Sequence, residues 1–176
     1  MAAPTSTLPQ PQPSGHPTDA ATDVDIPEYE TDLDLTPEEE EAVDGALVAF
    51  VGYFRTVNEA YSGEFASAKK FPDFASGDAL DSINGDVEVI KNGSYEFSGT
   101  VTPKKIKIDQ VVADDGAAVP NNVTLQFCFD LSQWSLLPQD ESPEPSESDL
   151  ITMEHIIHKS SDGWRVNEQT LRERKC

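Results

Sequence analysis

Five apolar side chains, Val123, Leu125, Phe127, Phe129 and Leu131, alternate with Thr124, Gln126, Cys128 and Asp130. Successive side chains of a strand point to opposite faces, so this run carries one apolar face and one polar face. The apolar face needs a cover, and residues 43–57 supply one. There Val43, Ala46, Leu47, Phe50, Phe54 and Val57 recur at helical spacing and form a single broad stripe. Thr36-Pro37-Glu38-Glu39 supplies an N-cap hydroxyl, a proline at the first helical position and the third-position Glu of a capping box. The spacing predicts a helix of roughly six turns ending near Gly63. The four glutamates at 38–41 read as its solvated first turn, at the positive end of the helix dipole, rather than as a metal or basic-partner site.

Further along, residues 71–75 and 76–83 read as one or two short helical turns, with Pro72 and Ser76 near their starts. Asn92-Gly93 is a turn, and the period then changes. Strands are expected at 94–102, at 104–113, at 123–131, and at 151–158 and 164–171, the last two joined by Ser160-Ser161-Asp162-Gly163. Helices followed by antiparallel strands give an α+β class, a sheet with one face covered by helices. Lys104-Lys105-Ile106-Lys107, the main basic cluster, reads as edge-strand protection.

Two segments stand apart. Residues 1–35 hold six prolines and seven acids without a Lys or Arg, a composition expected to form a disordered Pro/Asp-rich tether ahead of a domain at 36–176. Residues 138–149 hold three prolines and five acids, and are expected to form a mobile acidic loop. Acids outnumber bases 33 to 12, and the charge of −21 excludes electrostatic binding to nucleic acid or anionic lipid. The longest apolar run, residues 46–54, is half of the ~18 residues that a transmembrane helix needs.

The order of Asp78-Ala79-Leu80, Asn92-Gly93, Phe127-Cys128-Phe129-Asp130-Leu131-Ser132 and Gly163-Trp164-Arg165-Val166 resembles the nuclear-transport-factor-2-like (cystatin-like) superfamily. The resemblance is strongest to small extracytoplasmic proteins and lipoproteins of actinobacteria and their phages. It covers about residues 36–176 and implies a cone-shaped fold, a long helix and short helices on a curved antiparallel sheet. The long acidic loop departs from that pattern. So does the start of the chain, which has neither the basic-then-apolar signal segment nor a lipid-attachment cysteine. The resemblance implies an extracytoplasmic protein, in the cell envelope or secreted, whose export segment is absent from this chain; the alternative is a cytoplasmic one.

Enzymes of that superfamily line the cone with an acid/base pair, which implies Asp130, His155, His158, Tyr53, Tyr61 and Tyr95 as candidates. By alternation Asp130 faces away from the core, whereas His155 shares the inward parity of Ile151, Met153 and Ile157. An inward histidine without an inward carboxylate reads as a core residue rather than a catalyst, so His155, Asp130 and Tyr53 are catalytic candidates of the alternative reading only. His155 and His158 fall on opposite faces of a strand, Cys128 and Cys176 lie too far apart in sequence for a zinc pair, and no glycine-rich phosphate loop is present. Neither metal nor cofactor is expected. In an exported chain the even cysteine count permits one bond, Cys128–Cys176, joining the polar face of a strand to the charged end of the chain; in a reducing cytoplasm both would be free thiols.

The leading expectation is a non-enzymatic domain that binds a protein partner or a small apolar ligand, with Phe50, Phe54, Phe127 and Trp164 lining the cup. The alternatives are an acid/base enzyme of the ketosteroid isomerase, dehydratase or cyclase type, and a cytoplasmic module that forms homodimers through its open sheet face.

Overall fold

The structure, a computed structural model, describes residues 24–142 and 149–176. The expectations for residues 1–23 and for 143–148 of the acidic loop lie outside the described residues. Among the described residues the fold is α+β: three α-helices, a five-stranded sheet and a two-stranded ribbon.

Helix α1 spans Pro37–Tyr61 and starts as its sequence dictates. The Glu39 amide donates to Thr36 Oγ1 at 3.4 Å, and the Thr36 amide donates to Glu39 Oε2 at 2.8 Å. These bonds satisfy two amides that would otherwise lack partners, an effect of about 1 kcal/mol. The buried stripe runs through Val43, Leu47, Phe50, Phe54 and Val57 to Tyr61. It packs on β3 (Lys104–Val112), β4 (Asn122–Asp130), β6 (Leu150–Ser160) and β7 (Gly163–Glu173). These four strands are antiparallel neighbours in that order, with Leu125 opposite His155 and Phe127 opposite Met153. Val123, Leu125, Phe127, Ile157 and Val166 fill the covered face, each at 1% exposure or less. Removing such side chains from water contributes roughly 1.5–3 kcal/mol apiece, before the ordering entropy is set against it.

Four features depart from the pattern expected of the sequence. The domain begins before residue 36: Tyr29–Thr31 forms β1, which pairs in parallel with Ile106–Ile108 of β3, and Thr31 Oγ1 donates to the Ile108 carbonyl at 3.0 Å. That strand covers the supposed edge, so the basic cluster does not protect a bare one; Lys107 meets Asp32 at 2.8 Å and Lys104 meets Asp130 at 3.8 Å. After a 3-10 helix (Phe65–Lys70) and the one-turn α2 (Phe71–Phe74), α3 runs for 15 residues, Gly77–Lys91, not one or two turns. Its buried Ala79, Ile83 and Val87 continue one face past Gly85, which points into open space. Finally, Tyr95–Gly99 (β2) does not join the large sheet. It pairs antiparallel with Trp134–Pro138 (β5), a strand the alternation pattern did not reveal.

Trp164 sits half-buried against the N-terminal half of α1, where a methyl group on Gly45 would come within 2.3 Å of its Nε1. It is therefore a flank cover rather than a core anchor. Trp164→Ala is expected to cost less than the ~3–5 kcal/mol of a fully buried tryptophan. Urea unfolding measures this, and a full-sized loss would show that Trp164 holds the helix to the sheet. No helix among the described residues is long and apolar enough to cross a membrane.

Candidate functional site

A cavity of about 460 Å³ opens beside the C-terminal half of α1. Tyr53, Phe54, Val57 and Tyr61 of α1 form one wall, and Ile83 and Asp86 of α3 form the next. The β2–β5 ribbon presents Trp134 and Leu136, while the ends of the large sheet contribute Phe129, Met153 and Gln169. Of the four residues expected to line a cup, Phe54 does so. Phe50 and Phe127 lie packed beneath, their rings 5.1 Å apart, and Trp164 belongs to the other end of α1.

His155 faces inward from β6, opposite Leu125 and Gln169, and is 1% exposed. The Phe54 ring stacks on it with centroids 5.6 Å apart, and Tyr53 and Phe127 meet it edge-on at 5.6 and 4.7 Å. Its Nδ1 finds no hydrogen-bond partner among the described residues. Burial alone lowers its pKa to about 3, so the ring is neutral at physiological pH. Tyr53 is adjacent, but its hydroxyl donates to Gln169 Oε1 at 3.2 Å, and burial together with the charge of Asp86 raises its pKa. Asp130, the third catalytic candidate, is elsewhere. At the end of β4 it accepts from the hydroxyl and amide of Ser132, at 2.5 and 3.1 Å, and these bonds and Lys104 hold its pKa down. His158 pairs with Asp114 at 3.2 Å on the strand's other face, and Tyr95 is 37% exposed on the ribbon.

The polar group that the sequence reading passed over is Asp86. It lies in the apolar stripe of α3, one position before Val87 and three after Ile83, and a carboxylate interrupting such a stripe was the available signal. The Tyr61 hydroxyl donates to Asp86 Oδ2 at 2.6 Å. Burial first, then the neighbouring carboxylate, pushes the Tyr61 pKa up, so the phenol keeps its proton.

No protein-family model and no curated protein matches this chain. Among solved structures, the intermembrane-space region of the chloroplast protein ARC6 is similar at 16% identity and a TM-score of 0.45, over 71% of this chain and 92% of that one. A likeness of that degree does not bear on function.

The chemistry available in the cavity is limited. Both phenolic protons are committed to internal acceptors, His155 lies outside the lining, neutral and enclosed in rings, and among the described residues Asp86 of α3 is the sole carboxylate that lines the cavity. The opposite sheet face, which the alternative dimeric reading would use, is polar: Arg172 pairs with Glu154, which also accepts from Gln126 at 3.3 Å.

Proposed function

We propose that this chain is a non-enzymatic, extracytoplasmic domain of nuclear-transport-factor-2-like type that binds a small, largely apolar ligand in the cavity beneath α1. The observation that carries the reading is the cavity itself, about 460 Å³ walled mainly by aromatic and aliphatic side chains with a few convergent polar atoms. That size and lining suit a small-molecule site. A long helix laid over a curved sheet, antiparallel except for the short β1, is compatible with that superfamily reading. The Cys128–Cys176 disulfide supports an oxidising compartment.

An acid/base enzyme would need two groups poised to exchange a proton near neutral pH. Burial lowers the pKa of His155 to about 3 and no carboxylate raises it back toward neutrality, which argues for binding over catalysis.

Native mass spectrometry of the protein purified from its source tests the proposal. The expected result is an adduct of small-molecule mass, released on denaturation and absent from Met153→Trp, which places an indole in the mouth of the cavity. Bare protein mass in both forms would overturn it.

A further inference from the structure

We infer that the cavity selects a ligand bearing a quaternary ammonium group on an apolar body; this rests on the small-ligand reading above and gives that ligand its charge. Five aromatic side chains, Tyr53, Phe54, Tyr61, Phe129 and Trp134, contribute to the lining. Four of them form a continuous set, with Tyr53 5.0 Å from Phe54, Phe54 5.5 Å from Phe129 and Phe129 5.8 Å from Trp134 between centroids. Their π-electron density attracts a cation held within about 6 Å of a ring. Among the described residues no Lys, Arg or His lines the cavity, so nothing there repels one.

Asp86 supplies the opposite charge. Its Oδ2 accepts from Tyr61, and the half-buried carboxylate lines the cavity. A carboxylate beside aromatic walls is a poor host for a neutral hydrocarbon, because the ligand would strip water from the charge and return nothing. A cation returns a Coulombic attraction that grows as water leaves.

The hydrogen-bond inventory disfavours a primary ammonium. Its three N–H groups need about three acceptors once it is desolvated. Among the described residues the side-chain oxygen acceptors of the lining are those of Asp86, Gln169 and two phenols, and Gln169 and both phenols are already engaged in the Tyr53–Gln169 and Tyr61–Asp86 bonds. A quaternary ammonium has no N–H to satisfy and a low cost of leaving water, so rings plus a single carboxylate suffice. The net charge of −21 raises the local concentration of any cation around the molecule.

Isothermal titration of the full chain with benzyltrimethylammonium and with neopentylbenzene, its uncharged isostere, tests the inference. The expected result is at least tenfold tighter binding of the ammonium. Asp86→Asn, which keeps an oxygen for Tyr61 but removes the charge, should reduce that preference at least fivefold, with an unchanged circular dichroism spectrum. Met153→Trp should abolish binding of both probes. Equal or tighter binding of the neutral probe overturns the ammonium inference and leaves the apolar site standing. Heat from neither probe, in the wild-type chain, overturns both. A preference that survives Asp86→Asn overturns the role of the carboxylate and, with it, the inference.

Discussion

Reduction of the Cys128–Cys176 bond is expected to remove about 4 kcal/mol of stability, the chain-entropy value for a loop of roughly 49 residues. The bond is well placed to act. Strand β7 ends at Glu173, and β6 lies between β7 and β4, so residues 174–176 must cross the outer face of β6 to reach Cys128. On the way Thr152 Oγ1 donates to the Lys175 carbonyl at 2.7 Å, and Cys128 ends up 6% exposed although its neighbours Gln126 and Asp130 mark a polar face. The two Cα atoms stand 5.8 Å apart, within the span a disulfide bridges. Urea unfolding with and without reductant measures the loss, and Cys176→Ser should match the reduced wild type and ignore reductant. Coincident unfolding curves for oxidised and reduced protein would show that the crossing segment holds itself down without the bond. They would also leave the extracytoplasmic reading without its support.

The strap was legible in the sequence because its ingredients are local or countable: a period-2 strand that puts Cys128 on the polar side, and a single possible partner. The same holds for α1, whose capping box and apolar stripe lie within one continuous segment. What stayed hidden depends on pairing between distant segments. Strand β1 is three residues inside an acidic, proline-rich stretch, too short to show any period, and it exists because Ile106–Ile108 of β3 offers it a ladder. Strand β5 reads Trp-Ser-Leu-Leu-Pro, without alternation, and its partner β2 is remote in sequence. Residues 76–83 read as a short turn, yet α3 runs on past Gly85, which faces open space and costs only about 1 kcal/mol there, less than Ile83 and Val87 contribute on the buried face. The site suffered most. Phe50, Phe54 and Phe127 were identified as inward-facing, yet which inward residues meet a cavity and which lie beneath it depends on how elements distant in sequence pack around it. Asp86 enters that cavity only because α3 is longer than its first turns suggest.

The inward orientation of His155 carries the second large effect, a dependence of stability on pH. In the unfolded chain this imidazole titrates near its ordinary value of about 6.5. In the folded protein burial lowers its pKa to about 3. The unfolded state therefore binds a proton that the folded state refuses across that interval, and each bound proton favours unfolding as pH falls. The contribution is fully present above pH ~6.5 and is lost progressively toward pH ~3, at about 1.4 kcal/mol per pH unit. Between pH 7 and pH 4.5 the loss should reach about 3 kcal/mol. The carboxylates titrate in the same range, so the comparison that isolates His155 is with His155→Phe, which keeps an aromatic ring among Phe50, Phe54 and Phe127. Guanidinium unfolding of both proteins across this range should give curves that run parallel above pH 7 and diverge below it, with the wild type falling faster. Parallel curves throughout would mean that the folded protein accommodates an imidazolium, through a partner for Nδ1 that the packing of four rings does not show. A histidine able to take up a proton in place would be fit to exchange one with a ligand, and the choice of binding over catalysis would then reverse.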